Sequence, residues 1–377
     1  MEVTRPLALL GGLTPARFMK RHWQRKPLLV RGALPGFTPL LSRAELFALA
    51  GRDEVESRLV ARSGGKWQFR RGPFARRVLP PLARPDWTLL VQGVDLHHQP
   101  AHELLSQFRF VPQARLDDLM ISYAADGGGV GPHFDSYDVF LLQAQGRRRW
   151  RIGRQDDLSL LADMPLKILA NFVPEAEYVL EPGDLLYLPP RYAHDGIAEG
   201  ECQTYSIGFR SPAGAELARD LLQRLSEDAA EAAGERLYRD PSQAATATPG
   251  AIPQPLQAFA QAALTAALKD PGAIERALGE SLTEPKPTVW FEGAGSAGFE
   301  AGVVLDRRTR MMYDRSHVFI NGESYRAAGR DAALMRVLAD DRSLRPAQVA
   351  RASEAARALL AAWQQAGWLQ PLEGPEP

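Results

Sequence analysis

The spacing of apolar and polar positions changes twice along the chain. Before residue 118, short helical and extended patterns alternate. Thr14 followed by Pro15 predicts a helix start, with a hydroxyl N-cap and a proline in the first turn, where its missing N–H is not needed. Ser42-Arg43-Ala44-Glu45 has the spacing of a capping box and predicts a second helix. Alternation predicts strands over Glu56–Arg62 and Trp67–Arg71 around the turn Ser63-Gly64-Gly65-Lys66, and another over Trp87–Val94. Ala101–Phe108 predicts a short helix.

From Asp118 to Pro212 the period is two, broken by tight turns. Strands are predicted over Leu119–Ala124, Asp138–Gln143, Arg147–Ile152, Tyr178–Glu181, Leu185–Leu188 and Thr204–Arg210, with Glu181-Pro182-Gly183-Asp184 as a turn. Many short strands with Gly/Pro turns imply a sandwich or barrel. After Pro212 the period becomes helical over Ala213–Tyr238, Leu256–Lys269 and Ala273–Leu282, around a Pro/Ser/Thr/Ala/Gln-rich loop at 240–255. Beyond Pro285 and Pro287 lies a small mixed module. It has strand-like runs at Thr288–Glu292 and Gly302–Asp314, a hairpin at Val318–Tyr325 with Asn321-Gly322 at its tip, and helices at Ala332–Ala339, Pro346–Ala352 and Glu354–Gly367. Strands beside three short helices suit a winged-helix module. The domains predicted are 1–212, 213–284 and 285–377.

Composition narrows the function classes. Across 377 residues, 45 Lys and Arg balance 45 Asp and Glu. Nothing global therefore argues for nucleic acid or an anionic membrane, although local basic stretches remain compatible with this balance. The single cysteine, Cys202, excludes an internal disulfide and a cysteine zinc cluster, and suits a reduced, cytoplasmic setting. The amino terminus lacks a signal-peptide pattern, and no stretch approaches the roughly 18–20 apolar residues of a membrane span.

The chemistry concentrates in Gly131-Pro132-His133-Phe134-Asp135 and in Leu188-Pro189-Pro190-Arg191-Tyr192-Ala193-His194. Two imidazoles and one carboxylate form the facial triad of non-haem iron(II) oxygenases, leaving half an octahedron open. On a strand, His133 and Asp135 share a face. A His-x-Asp pair alone often arises by chance. Here a glycine run, Gly127-Gly128-Gly129, lets backbone approach closely, and a turn with Gly183 and Pro189 precedes His194. Arg147, Arg148 and Arg149 are adjacent, so alternation turns only one parity inward. Trp150 shares a face with Arg148.

Residues 127–153, with Arg21-His22-Trp23-Gln24, Asp117–Ser122, Glu181–Asp184 and Tyr205–Arg210, resemble the bacterial ribosomal oxygenases, JmjC-type members of the cupin superfamily. The similarity covers most of residues 15–212. It implies a mainly β fold with α additions: a double-stranded β-helix core, a helical dimerisation segment and a winged-helix-like carboxy-terminal module. It implies a 2-oxoglutarate dioxygenase using Fe(II) and O2 to hydroxylate an arginine of the sixteenth large-subunit ribosomal protein. His133, Asp135 and His194 are then the catalytic metal ligands. Arg148 anchors 2-oxoglutarate, supported by Ser122 or Thr204, because an arginine fork matches a carboxylate. Asp118 and Tyr137 are candidates for the substrate guanidinium, against strand-end capping and core packing as plainer roles.

The family resemblance also implies a homodimer and a ribosomal protein partner, while direct nucleic-acid binding and membrane attachment are not expected. Two departures stand out: Arg191 occupies a position where the family has glycine, and Thr204 one where the bacterial relatives have asparagine. His97, His98 and His102 lack the acidic neighbour of a zinc helix, and the loop at 97–100 with Pro100 interrupts them, so they read as a surface helix start. The competing functions are a ribosomal histidine hydroxylase or JmjC demethylase on the same fold, and a non-catalytic cupin/winged-helix binding protein.

Overall fold

Thr14 accepts the Arg17 amide at 3.1 Å and starts α1 (Pro15–Arg21). An extended segment β1 (Leu28–Val30) follows, and then the predicted capping box between Ser42 and Glu45 opens α2 (Arg43–Leu49). The hairpin is β2 (Ser57–Ser63) and β3 (Lys66–Arg71), followed by β4 (Trp87–Val91). Helix α3 (Gln99–Ser106) begins earlier than predicted, because Pro100 sits in its first turn and starts the helix rather than interrupting it. Then come β5 (Leu116–Ala124), β6 (Val139–Gly153), β7 (Ala176–Leu180), β8 (Leu185–Leu188) and β9 (Ala193–Phe209). The computed structural model describes residues 2–234, 237–267, 270–293, 298 and 301–372.

The chain forms two units, Met1–Ser211 and Pro212–Pro377. In the first, antiparallel strands run in the order β1-β8-β6-β9-β5-β4-β2-β3, with β7 also on β6. This is the double-stranded β-helix. Phe18, Leu46 and Leu104 carry the three helices onto a core with Trp87, Phe140 and Tyr187. Each fully buried large apolar side chain contributes about 2–3 kcal/mol.

The runs predicted as Asp138–Gln143 and Arg147–Ile152 are one strand, β6, with register shifts against β9 between Gln143 and Arg147. Val139 and Leu141 line the barrel cavity from the first half of β6, whereas Arg148 and Trp150 line it from the second. The inward parity therefore changes from odd to even across the irregularity, as a β-bulge requires. Gly146 sits there at φ +63°, and a Cβ on it would lie 2.1 Å from the Glu201 carbonyl oxygen. Likewise Thr204–Phe209 is only the end of the 17-residue β9, and Arg210 lies just past it.

The second unit holds α4 (Gly214–Ala233), α5 (Gln254–Ala267) and α6 (Ala273–Thr283), with α4 packed on both of the others. After these come β10 (Val303–Leu305), β11 (Met311–Tyr313), β12 (His317–Ile320), β13 (Glu323–Arg326), α7 (Gly329–Asp341), β14 (Ser343–Leu344), α8 (Pro346–Val349), α9 (Glu354–Gln365) and β15 (Leu369–Pro371). Two three-stranded sheets result, around Leu305, Ile320, Leu338, Leu360 and Trp363. The Asn321-Gly322 tip has both residues at positive φ, 48° and 89°. Thr288–Glu292 is not a strand, since Lys286–Val289 closes as a turn instead. The first helix stops at Ala233, so Tyr238 is not helical; Lys269 lies outside the described residues.

Candidate active site

His133 and Asp135 do not lie on a regular strand. They follow the glycine loop on an extended segment that meets β9 at a single rung. There the His133 amide donates to the His194 carbonyl (3.0 Å) and the His194 amide returns a bond to the His133 carbonyl (2.8 Å). This rung, rather than a continuous sheet, brings residues 61 apart in sequence face to face. Their ring centroids are 4.3 Å apart.

Each histidine uses Nδ1–H on the carbonyl two residues before it: His133 to Gly131 at 2.8 Å, His194 to Tyr192 at 3.0 Å. A carbonyl only accepts, so both rings hold the tautomer that leaves the Nε2 lone pair free. Burial, with His133 beside it, holds His194 down to about 4, so it is neutral near pH 7. Its Nε2 is 3.7 Å from an Asp135 carboxylate oxygen. One donor atom each from His133, Asp135 and His194 lies within 4.8 Å of the others, and among the described residues no other such group of three occurs. Two imidazoles and a carboxylate on one side of an open cavity fit a divalent metal of the iron class. His97, His98 and His102 are no part of it.

Arg191 adopts the left-handed conformation (φ +63°) that glycine takes most readily, and its amide donates to the Asp135 carbonyl at 2.7 Å. The turn is therefore made with arginine, and it ties the two ligand segments together a second time.

A cavity of about 330 Å³ runs from the triad to Arg148. On β6, Arg147, Arg149 and Arg151 pair with Glu199, with Glu177 and Glu199, and with Asp195 respectively. Arg148 is 3% exposed and, among the described residues, has no carboxylate partner. Its Nη1 donates to Ser122 Oγ (3.0 Å) and Thr204 Oγ1 (3.3 Å), its Nη2 to the Gly196 carbonyl (3.4 Å), and its Nε has no partner. The guanidinium lies 5.3 Å from the Trp150 ring centroid. Burial lowers its pKa, the mark of a desolvated charge lacking its anion. Thr204 in turn donates to Gln143 Oε1 at 2.9 Å, so the hydroxyl that replaces asparagine is fixed toward Arg148. A buried cation with an unfilled donor, facing a cavity, fits a dicarboxylate cosubstrate.

Asp118 and Tyr137 line the same cavity. Asp118 is 2% exposed, and both its oxygens accept from Gln92 Nε2 at 3.0 and 2.8 Å. Tyr137 is 40% exposed, so core packing does not describe it. Sequence reasoning missed Arg58 and Gln92, which also line the cavity; Arg58 Nη2 donates to Gln92 Oε1 at 2.5 Å. Only the strand order β5-β4-β2 brings them there, and no local pattern signals it.

A JmjC domain family model matches residues 103–217, and a ROXA-like winged helix model residues 266–370. The ribosomal protein uL16 3-hydroxylase of Escherichia coli (strain K12) is 44% identical over 201 residues, 53% of this chain and 53% of that protein. The match thus spans about half the length of such curated relatives. The X-ray structure of E. coli ycfD is similar along nearly the whole chain: TM-score 0.81 and 31% identity, covering 95% of this chain and 98% of that one. The E. coli ribosomal oxygenase YcfD in complex with cobalt and 2-oxoglutarate is similar with TM-score 0.77 and 30% identity, at the same coverage. No helix among the described residues is long and apolar enough to cross a membrane.

Proposed function

This chain belongs to the JmjC-type ribosomal oxygenases, and on that footing we propose that it is an iron(II)- and 2-oxoglutarate-dependent hydroxylase of an arginine side chain on ribosomal protein uL16. The observation that carries the reading is Arg148. It is the one β6 arginine left without a carboxylate, and it is buried where the cavity needs an anion. When bound, iron(II) and 2-oxoglutarate supply the oxidising power that places one oxygen atom of O2 in a C–H bond, releasing succinate and carbon dioxide.

The chain's own residues do the rest. His133, Asp135 and His194 hold the metal through two Nε2 atoms and a carboxylate. Arg148, with Ser122 and Thr204 locking its fork, receives the distal carboxylate of 2-oxoglutarate. Asp118, held bidentately by Gln92, offers its charge to a guanidinium, and the Tyr137 ring offers a stacking face. Asp118 favours a cationic side chain over a histidine or an aliphatic one.

The test is mass spectrometry of recombinant uL16 incubated with the protein, iron(II), 2-oxoglutarate and O2. The expected product carries one added oxygen on an arginine. Asp118→Asn is expected to raise KM for the protein substrate by about tenfold or more, because a charge-assisted bond of about 1.5–3 kcal/mol weakens. Metal binding should not change. Oxygen added only to histidine, or none at all, would sink the reading.

A homodimer is the proposed assembly. Leu222, Leu264 and Ile274 of the helical segment are 64%, 67% and 54% exposed, an apolar outlay that suits burial against a second copy. Sedimentation of the full chain is expected to give twice the monomer mass, and Leu222→Glu with Leu264→Glu to shift it to the monomer. A wild-type monomer at all concentrations rejects this assembly. A ribosomal substrate places the protein in the cytoplasm.

A further inference from the structure

Between Glu56 and Asp86 the chain has no acidic residue, yet it has Arg58, Arg62, Lys66, Arg70, Arg71, Arg76, Arg77 and Arg84. A chain neutral overall has concentrated one sign of charge in the β2–β3 hairpin and the segment after it. Lys66, Arg70, Arg71, Arg76 and Arg77 are exposed. Among the described residues, the hairpin's ion pairs are Arg58 with Glu56 at 3.9 Å and Arg62 with Asp86 at 3.3 Å, and those five exposed cations have none.

The register sorts the cations. Arg58 opposes Arg71, Val60 opposes Phe69, and Arg62 opposes Trp67. Opposed residues share a face, so one face carries a cation pair, an apolar–ring pair and a cation–ring pair in succession. Directly opposed like charges are unfavourable unless an anion joins them. Of the opposed pair, Arg58 donates to Gln92 Oε1 while Arg71 lies 5.9 Å from the Phe69 centroid; further along the same face, Arg62 lies 5.6 Å from that of Trp67. β3 is the terminal strand of the sheet. Arg58, Val60 and Phe69 also wall the catalytic cavity, so this face is continuous with its lining.

We propose that this hairpin face binds single-stranded nucleic acid beside the cavity. Guanidinium forks suit phosphate oxygens. Half-exposed rings between them are platforms on which unpaired bases stack, a feature an acidic peptide would leave unused. The proposal reverses the expectation drawn from net charge, which averages this asymmetry away. It does not rest on the catalytic reading, and His133→Ala should bind as the wild type does.

The test is fluorescence anisotropy of a labelled oligouridylate of about 20 nucleotides with the full chain across a salt series. Binding is expected to fall linearly on a log–log plot. Arg62→Glu with Arg71→Glu, both on this face, should weaken it roughly tenfold or more and flatten the slope by about 1.4 or more, two phosphate contacts at about 0.7 each. Arg62→Lys with Arg71→Lys keeps most of the affinity, which separates charge from misfolding. Arg351→Glu, on the second unit, leaves it unchanged. Absence of binding at low salt, insensitivity to reversal of the hairpin charges, or displacement of the oligonucleotide by polyglutamate of equal charge would each overturn the proposal. The last would assign the face to an acidic protein.

Discussion

Arg148→Met is expected to make the ligand-free protein at least as stable as the wild type while destroying its use of 2-oxoglutarate. The buried guanidinium has hydroxyls, one carbonyl and the Trp150 ring around it, but no anion. Its desolvation is therefore only partly offset in the empty cavity. Replacing a buried charge by an apolar side chain of similar length is often neutral or stabilising by about 1–4 kcal/mol. The same change removes a bidentate, charge-assisted clamp on the cosubstrate, worth about 3 kcal/mol or more, which is over a hundredfold in kcat/KM for 2-oxoglutarate. Thermal unfolding without ligands, set beside succinate release at rising 2-oxoglutarate, measures both. A variant that unfolds early but keeps a normal KM for 2-oxoglutarate would make Arg148 structural. Ser122→Ala and Thr204→Ala should show a weaker version, since each takes one acceptor from Nη1 and leaves the charge in place.

Asp135→Asn is expected to abolish both hydroxylation and the stabilisation that metal confers. The asparagine has the same shape, and the Asp135 carbonyl still receives the Arg191 amide, so the loop stays tied. What is lost is the single negative charge of the triad, with a donor NH2 possible in its place. Ligand present at a hundred times its Kd stabilises a fold by about 2.7 kcal/mol. Wild-type protein titrated with cobalt(II) should gain on that order, and the variant little. Turnover should fall by more than the ten- to hundredfold typical of losing a residue that merely orients a ligand. Chelating the wild type with EDTA should reproduce the variant. Metal stabilisation that survives in Asp135→Asn would remove the carboxylate from the site.

The ligand set was legible because its parts are short-range: a histidine and an aspartate two residues apart, a glycine loop before them, and a proline-led turn before His194. Alternation says only that one parity of Arg147, Arg148 and Arg149 turns inward; it is the family resemblance that points to Arg148. The hairpin tip at Asn321-Gly322 and the capping box at Ser42 are likewise local statements, and the fold makes both. Long-range features were hidden. Nothing near Gln92 says that it will hold Asp118, since that depends on β4 pairing with β5. Polar residues and glycines interrupt the alternation of β6 and β9 where the sheet bends, so each reads in sequence as shorter pieces. Thr288–Glu292 has strand-like composition, but the backbone closes Lys286–Val289 into a turn.

The irregularity at Gly146 makes chain length itself a specified quantity. Surface bends in most proteins accept an added or missing residue. In β6, one residue more or fewer between Gln143 and Arg147 would rotate everything after it by half a turn of the pleat. Arg148 and Trp150 would face outward, while Arg147, Arg149 and Arg151 would enter the barrel and leave Glu177, Glu199 and Asp195 behind. Length variants that survive in this stretch should therefore come in steps of two, a constraint that no comparison of side chains alone would reveal.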